Sequence, residues 1–374
     1  MKIAYVNSVC ARNDAISNAI LDEFGFLKRA GHEDIRLFAF QCDHREIPFT
    51  PCQSVADIAN HPHFLESDIV VFHFGIYYSL FNLFPIVPKR ARRVVVFHNI
   101  TPRDLVPEKD RWLIDKSVAQ LDNIRWADHV ICDSDTNLGV LRSQGLTTSA
   151  SVVPLAVHSE ISVPEKKPSF SDGTVRIVFV GRFTRSKAPH ELLAAIDQLA
   201  STRELNAPVQ LDLIGNLAFS SPDMIAVMER MISDIHQRHG TDLSIRIHGS
   251  ASDETKHRLL SEADIFALPT YHEGFCVPII EAIASGCRVV VYDNSNTSDV
   301  AGSFGTMVRT GDVGEFAQAL RLVMSQVGST DWREGRGQRS YTQYAAAGKQ
   351  YARRFSPDHI GPIFLRTLSG IMTP

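Results

Sequence analysis

Two carboxylates flanking seven residues mark the most chemically suggestive stretch of this chain, His272-Glu273-Gly274-Phe275-Cys276-Val277-Pro278-Ile279-Ile280-Glu281. It lies between an apolar run, Ile265 to Leu268, and small residues that continue to Ser285. The spacing predicts a helix starting near Gly274, whose unbonded N–H groups form an anion site. Glu281 then falls about two turns along that helix, with Glu273 beside its N-terminus. This arrangement suits a nucleoside diphosphate, with N–H groups for phosphate oxygens and carboxylates for sugar hydroxyls. The same residues also describe a plain helix start with an acid at its positive end.

A second segment points the same way. The apolar run Val175 to Val180 reads as a strand, followed by Gly181-Arg182-Phe183-Thr184-Arg185-Ser186-Lys187 and a helical pattern from His190 to Leu199. Strand, glycine, basic loop and helix is what a parallel sheet offers to phosphate at its carboxyl edge. Arg182 can fork onto two phosphate oxygens while Lys187 supplies a point charge.

Gly181-Arg182-Phe183 with Lys187, then Glu273-Gly274-Phe275 with Glu281-Ala282 and Gly286, resembles family 4 of the retaining, nucleotide-sugar-dependent glycosyltransferases. Weaker echoes in the first half are Asp14-Ala15-Ile16-Ser17-Asn18 and His98-Asn99-Ile100-Thr101-Pro102. Cys276 stands where the family usually has glycine, and the glycine pair common after its first strand is missing. The resemblance implies a GT-B fold: two Rossmann-like domains facing across a cleft, with a C-terminal helix crossing back to the first. It implies transfer of a hexosyl unit, with retention, from a nucleoside-diphosphate sugar to an acceptor hydroxyl. The acceptor expected is a glycan or lipid-linked oligosaccharide of bacterial-type polysaccharide assembly. Glu273 and His98 are then the catalytic candidates. Arg182, Lys187, Gly274, Phe275, Cys276, Val277 and Glu281 hold the donor, and Asp14, Ser17 and Asn18 line the acceptor side. No cofactor beyond the donor and no metal is implied.

The elements that must position these residues follow from the hydrophobic pattern. Strand-like runs alternate with helical stretches at Ile3–Val6, Ile35–Phe40, Ile69–Phe72, Arg93–Phe97, His129–Cys132 and Val152–Leu155. A second series covers Val175–Val180, Val209–Ile214, Leu243–Ile247, Asp264–Leu268 and Arg288–Val291. This rhythm predicts parallel sheets with helices on both faces. Residues 158–173 lose it and read as a linker, giving domains at 1–165 and 174–350 and a helical tail at 351–374. A length of 374 residues with 44% hydrophobic and 21% charged content suits two such cores. The net charge of −4 arises in residues 1–165, with 16 basic against 20 acidic, and the rest balances at 22 against 22. That excludes a nucleic-acid profile. Six cysteines without a CxxC pair point to reduced thiols. The strand beginning at Ile3 leaves no room for a signal peptide, and no apolar run approaches the ~18 residues of a membrane span. A cytoplasmic protein is expected.

Other features keep two readings. The turn Asn7 to Asp14 lacks the glycines of a dinucleotide fingerprint, which argues against an NAD or FAD enzyme. Asp14, Ser17 and Asn18 are also ordinary helix-capping types. His98 ends a strand, where open α/β sheets meet ligands, but also fits a satisfied core histidine; His73 leans further to the core. His44, His61 and His63 lack metal-ligand spacing. The apolar stretch Ile76 to Pro88, followed by Lys89, Arg90, Arg92 and Arg93, is either a buried helix with C-terminal cations or a peripheral contact with an anionic inner membrane face. Two rival functions share the fold or the site: a GT-B-like epimerase or phosphorylase, and a non-catalytic nucleotide-sugar sensor.

Overall fold

The computed structural model describes residues 1–158, 164–240, 243–327, 333–334, 337–338 and 340–372. They divide into two compact units, Met1–Ala156 with Phe355–Pro374, and Val157–Arg354.

Unit 1 is built on seven strands: β1 Ile3–Val6, β2 Ile35–Ala39, β3 Phe49–Pro51, β4 Ile69–Phe74, β5 Arg92–Phe97, β6 His129–Cys132 and β7 Ala150–Val152. They lie in the order β3-β2-β1-β4-β5-β6-β7 and all pair parallel. A parallel sheet covered on both faces needs apolar residues on both sides of each strand, and every residue of β1 and β4 is buried. Alternate residues of β1 feed opposite cores, Ala4 and Val6 into one, Ile3 and Tyr5 into the other. Helix α1, Ala15–Arg29, starts at the Asp14 cap and buries Ile20, Phe24 and Leu27. Helix α2 spans Asp135–Ser143.

Unit 2 repeats the permutation with β8 Val175–Val180, β9 Val209–Ile214, β10 Leu243–Gly249, β11 Ile265–Leu268, β12 Arg288–Asp293 and β13 Gly305–Arg309. Their order is β10-β9-β8-β11-β12-β13, again parallel. Its longer helices are α3 Pro189–Ser201, α4 Pro222–His239, α5 Asp253–Glu262, α6 Val277–Ala284, α7 Val313–Met324 and α8 Tyr341–Ala352. The chain then returns to unit 1 as α9, Pro357–Met372, placing Ile360, Phe364 and Leu368 in the core, with the Phe364 ring 6.1 Å from that of Phe26.

Three expectations are corrected. The stretch read as a linker over 158–173 is packed into unit 2 from Lys167 onward. Lys167 is 1% exposed and donates to Ser261 O at 2.7 Å and Ser285 O at 2.9 Å, while Ser169 donates to buried Asp264 at 2.6 Å. The boundary therefore falls at Ala156/Val157 rather than after 165, and the return at Arg354/Phe355 rather than 351. The last strand of unit 1 is Ala150–Val152, not 152–155. Finally, most of the apolar stretch after Ile76 packs in the core: residues Ser79–Ile86 form a 3-10 helix with Leu80, Phe81, Leu83 and Phe84 fully buried, while Ile76 and Ile86 stay 41% and 58% exposed. Among the described residues, no helix is long and apolar enough to cross a membrane.

Candidate functional site

In unit 2 the strand order reverses between β8 and β11, and the loops leaving their carboxyl ends flank that point, where open α/β sheets bind ligands. The two loops are tied together. Tyr271 N donates to Ser186 O at 2.7 Å, and Thr270 Oγ1 donates to the same carbonyl at 3.2 Å. This seam brings Lys187 Nζ to 2.5 Å from Glu273 Oε1 and 3.2 Å from His272 O. Glu273 is buried, and Lys187 is largely so. Arg182, on the same loop, is exposed and makes no ion pair among the described residues. Burial, with the Lys187 cation beside it, pushes the His272 imidazole down to about 4, so it is neutral at physiological pH.

Each loop ends at a helix whose first turn is uncapped. Among the longer helices of unit 2, α4, α5, α7 and α8 receive side-chain caps from Ser221, Ser252, Asp312 and Ser340. Helices α3 and α6 do not: their N-cap residues are Ala188 and Cys276, both left-handed, with φ of 44° and 75°. N–H groups at such ends seek an acceptor from outside the helix. The helix expected from Gly274 thus starts at Val277, because the backbone turns through Cys276 first. Asn296, fully buried, holds that turn by donating to Gly274 O and Phe275 O, each at 3.0 Å. That φ costs a side-chain-bearing residue about 1–2 kcal/mol, a penalty glycine would not carry.

Glu281 lies on α6 just over one turn in, not two, and is buried. Its Oε1 is 2.8 Å from Lys256 Nζ on α5, a partner with no motif in the sequence. Burial works against that ammonium, but Glu281 and Asp253 outweigh it and raise its pKa.

In unit 1, Asp14 spends its side chain on capping α1, and Ser17 braces the turn before the helix. Asp14 Oδ2 accepts from Ser17 N at 2.9 Å, and Ser17 Oγ accepts from Ala11 N at 2.9 Å. Asn18 is exposed. His98, just past β5, is held on both ring nitrogens: Nδ1 lies 2.7 Å from Asp133 Oδ2, and Nε2 lies 2.8 Å from His73 Nδ1. His73 Nε2 is 3.3 Å from Glu23 Oε2.

Superposition on sucrose-phosphate synthase from Thermosynechococcus elongatus gives a TM-score of 0.75 at 15% identity over 99% of both chains. The chain has the GT-B fold. The E. coli trehalose-6-phosphate structure bound with UDP-2-fluoro glucose superposes on this GT-B chain with a TM-score of 0.70 at 14% identity, over 100% of this chain and 99% of that one. Residues 163–338 match the family described as glycosyl transferases group 1. A D-inositol 3-phosphate glycosyltransferase from Nocardioides sp. is 28% identical over 228 residues, 60% of this chain and 44% of the relative. The chain thus spans under half the length of that curated relative.

Within this GT-B chain the structure joins Lys187 to Glu273 and sets both beside the two uncapped helices. No local pattern in the sequence singles out Lys256, Asn296 or Glu23. Asp133 carries a signal, since it directly follows a strand.

Proposed function

We propose that the protein is a retaining glycosyltransferase that moves a hexosyl unit from a nucleoside-diphosphate sugar to an acceptor hydroxyl. The observation that carries this is the pairing of the two uncapped helix starts, at Ala188 and Cys276, with Lys187 between their loops. A departing diphosphate needs its charge met at that point, by groups already in place. Lys187 and Arg182 supply the cations, and the first-turn N–H groups of α3 and α6 that Pro189, Pro278 and the bonds from Glu191 N to Ala188 O and Ile279 N to Cys276 O leave over supply the dipoles. Glu273, anchored by Lys187, holds donor-sugar hydroxyls, and Glu281 accepts from the ribose hydroxyls. Likeness to the group 1 glycosyl transferases, and to a structure bound with UDP-2-fluoro glucose, supports the donor class.

A thermal-shift panel of UDP-, GDP- and ADP-sugars tests the reading, followed by slow donor hydrolysis without acceptor. A donor present at about 100 times its Kd stabilises by roughly 2.7 kcal/mol, a readily measured shift. Stabilisation by one nucleotide series, together with sugar release, is the expected result. No shift with any donor would remove the proposal, and binding without any release would leave a sensor.

A further inference from the structure

The His98 contacts in unit 1 extend into a chain that crosses four elements. Asp133 follows β6, His98 follows β5, His73 lies on β4 and Glu23 on α1. The three junctions measure 2.7, 2.8 and 3.3 Å. All four residues are buried or nearly so, and the two imidazoles lie edge to edge and nearly coplanar, with ring centroids 5.1 Å apart and planes 18° apart. The Tyr5 ring on β1 lies next to His73, with centroids 5.9 Å apart and planes 29° apart.

A nitrogen-to-nitrogen contact of 2.8 Å needs one hydrogen between the rings. Four arrangements place one hydrogen at each junction, and in two of them Asp133 is a carboxylate and His73 is neutral. In the first, Asp133 and Glu23 are carboxylates, His98 is an imidazolium and His73 carries its proton on Nε2. In the second, Asp133 is a carboxylate, both imidazoles are neutral and protonated on Nδ1, and Glu23 is a carboxylic acid donating to His73 Nε2. Both hold the same number of protons and the same net charge. They interconvert when the Glu23 proton passes to His73 Nε2 and the His73 Nδ1 proton passes to His98 Nε2; nothing enters or leaves.

We propose that Glu23, His73 and Asp133 are positioning residues that form an internal proton chain, with Glu23 storing the proton that sets the charge on His98. The role of that charge rests on the transferase reading, in which His98 is a catalytic candidate. Since both His98 nitrogens are spent in either arrangement, it acts there through charge rather than through a hydrogen bond to substrate. Opposing influences act on the two forms. Burial pushes Glu23 up to about 8, favouring the acid. Burial opposes the His98 imidazolium, but Asp133, Glu23 and Asp14 together outweigh it and raise its pKa. Burial and the neighbouring His98 hold His73 well below the usual histidine range. The remaining ionisable groups facing the chain are Asp14 ahead of α1, Asp22 on α1 and the Tyr5 hydroxyl on β1.

The test is ring-15N and carboxyl-13C NMR on the full chain, from about pH 5 to 9. His73 is expected to show a population-weighted mixture of its two neutral tautomers. The Glu23 carboxyl and the His98 ring are expected to share one titration midpoint. A single pure His73 tautomer, or midpoints for Glu23 and His98 separated by more than about one unit, overturns the proposal. With a donor that turns over, Glu23→Gln should lower kcat by roughly tenfold or more and shift the pH–rate profile, with little change in donor KM. A merely structural glutamate would lower Tm and leave the profile in place, which also overturns it. If wild-type protein turns over no donor, the transferase reading fails, while the ring titrations still decide the chain.

Discussion

Gly215, directly after β9, offers the sharpest test of how the phosphate loop is held. A Cβ there would lie 2.6 Å from Gly181 O and 2.9 Å from two ring atoms of Phe183, where ordinary contact begins at 3.4 Å. Something must therefore retreat by about 0.8 Å, the difference between 3.4 and 2.6 Å. Phe183 is poorly placed to do so. It is fully buried, its N–H donates to Ser220 Oγ at 2.9 Å and its carbonyl accepts from Ser221 N at 2.9 Å. The segment from Gly181 to Lys187 has to shift instead. Overpacking of this kind costs about 1–3 kcal/mol, which in a unit of this size lowers Tm by roughly 2–12 °C. A displacement approaching 1 Å at the residues that meet the diphosphate costs up to about 10² in turnover. Gly215→Ala is compared with Gly139→Ala on α2, where a Cβ meets nothing within 4 Å. The control should be neutral or gain up to about 1 kcal/mol. The assays are thermal melting, with and without the stabilising donor, and turnover. If Gly215→Ala melts with wild type and keeps its donor response, close packing at Gly215 does not position the loop.

Arg182→Ala should keep wild-type stability to within about 0.5 kcal/mol, because the side chain is exposed, while turnover falls by on the order of 10²–10³. Lys187→Ala should lose similar activity but also melt lower, since breaking a buried pair costs about 3–5 kcal/mol; equal melting of the two variants would contradict the Lys187–Glu273 pairing. Glu281→Gln should weaken nucleoside-diphosphate binding by roughly 1–3 kcal/mol in calorimetry, and unchanged affinity would reduce Glu281 to a partner for Lys256. Glu23 gives a pH signature. Folding raises it from 4.5 to about 8, so the stability it contributes is complete below about 4.5 and is lost as the pH climbs to about 8. The slope reaches at most about 1.4 kcal/mol per pH unit, and Glu23→Gln should flatten that part of the melting profile.

Eleven strands were legible because buried parallel strands are continuous apolar runs, and these carried the fold. Phe49–Pro51 and Gly305–Arg309 were missed: each lies at a sheet edge and is only partly buried, so its residues need not be apolar. The misread linker failed for the opposite reason. Lys167 and Ser169 look solvated in a local window, yet their partners lie about a hundred residues away, at Ser261, Asp264 and Ser285. The site divides the same way. Arg182, Lys187, Glu273 and Glu281 stand in local patterns that name a chemistry. Lys256 and Glu23 sit on amphipathic helices, where one charged residue more reads as surface, and only the fold turns them inward against a carboxylate or an imidazole.

The left-handed turn at Cys276 shows what the local pattern could not price. A glycine would take φ of 75° without penalty, whereas a residue with a Cβ gives up about 1–2 kcal/mol. A helix that needed only to begin would gain more from Ser or Asp at that position, as α4, α5, α7 and α8 do. Instead the turn is held from outside by Asn296, whose amide satisfies the two preceding carbonyls and fixes where the chain enters α6. Ala188 repeats the arrangement at α3, again without a side-chain cap. Both departures from local preference fall on the two loops joined by Lys187 and Glu273, which is where strain is expected if those helix starts are kept for a ligand's charge.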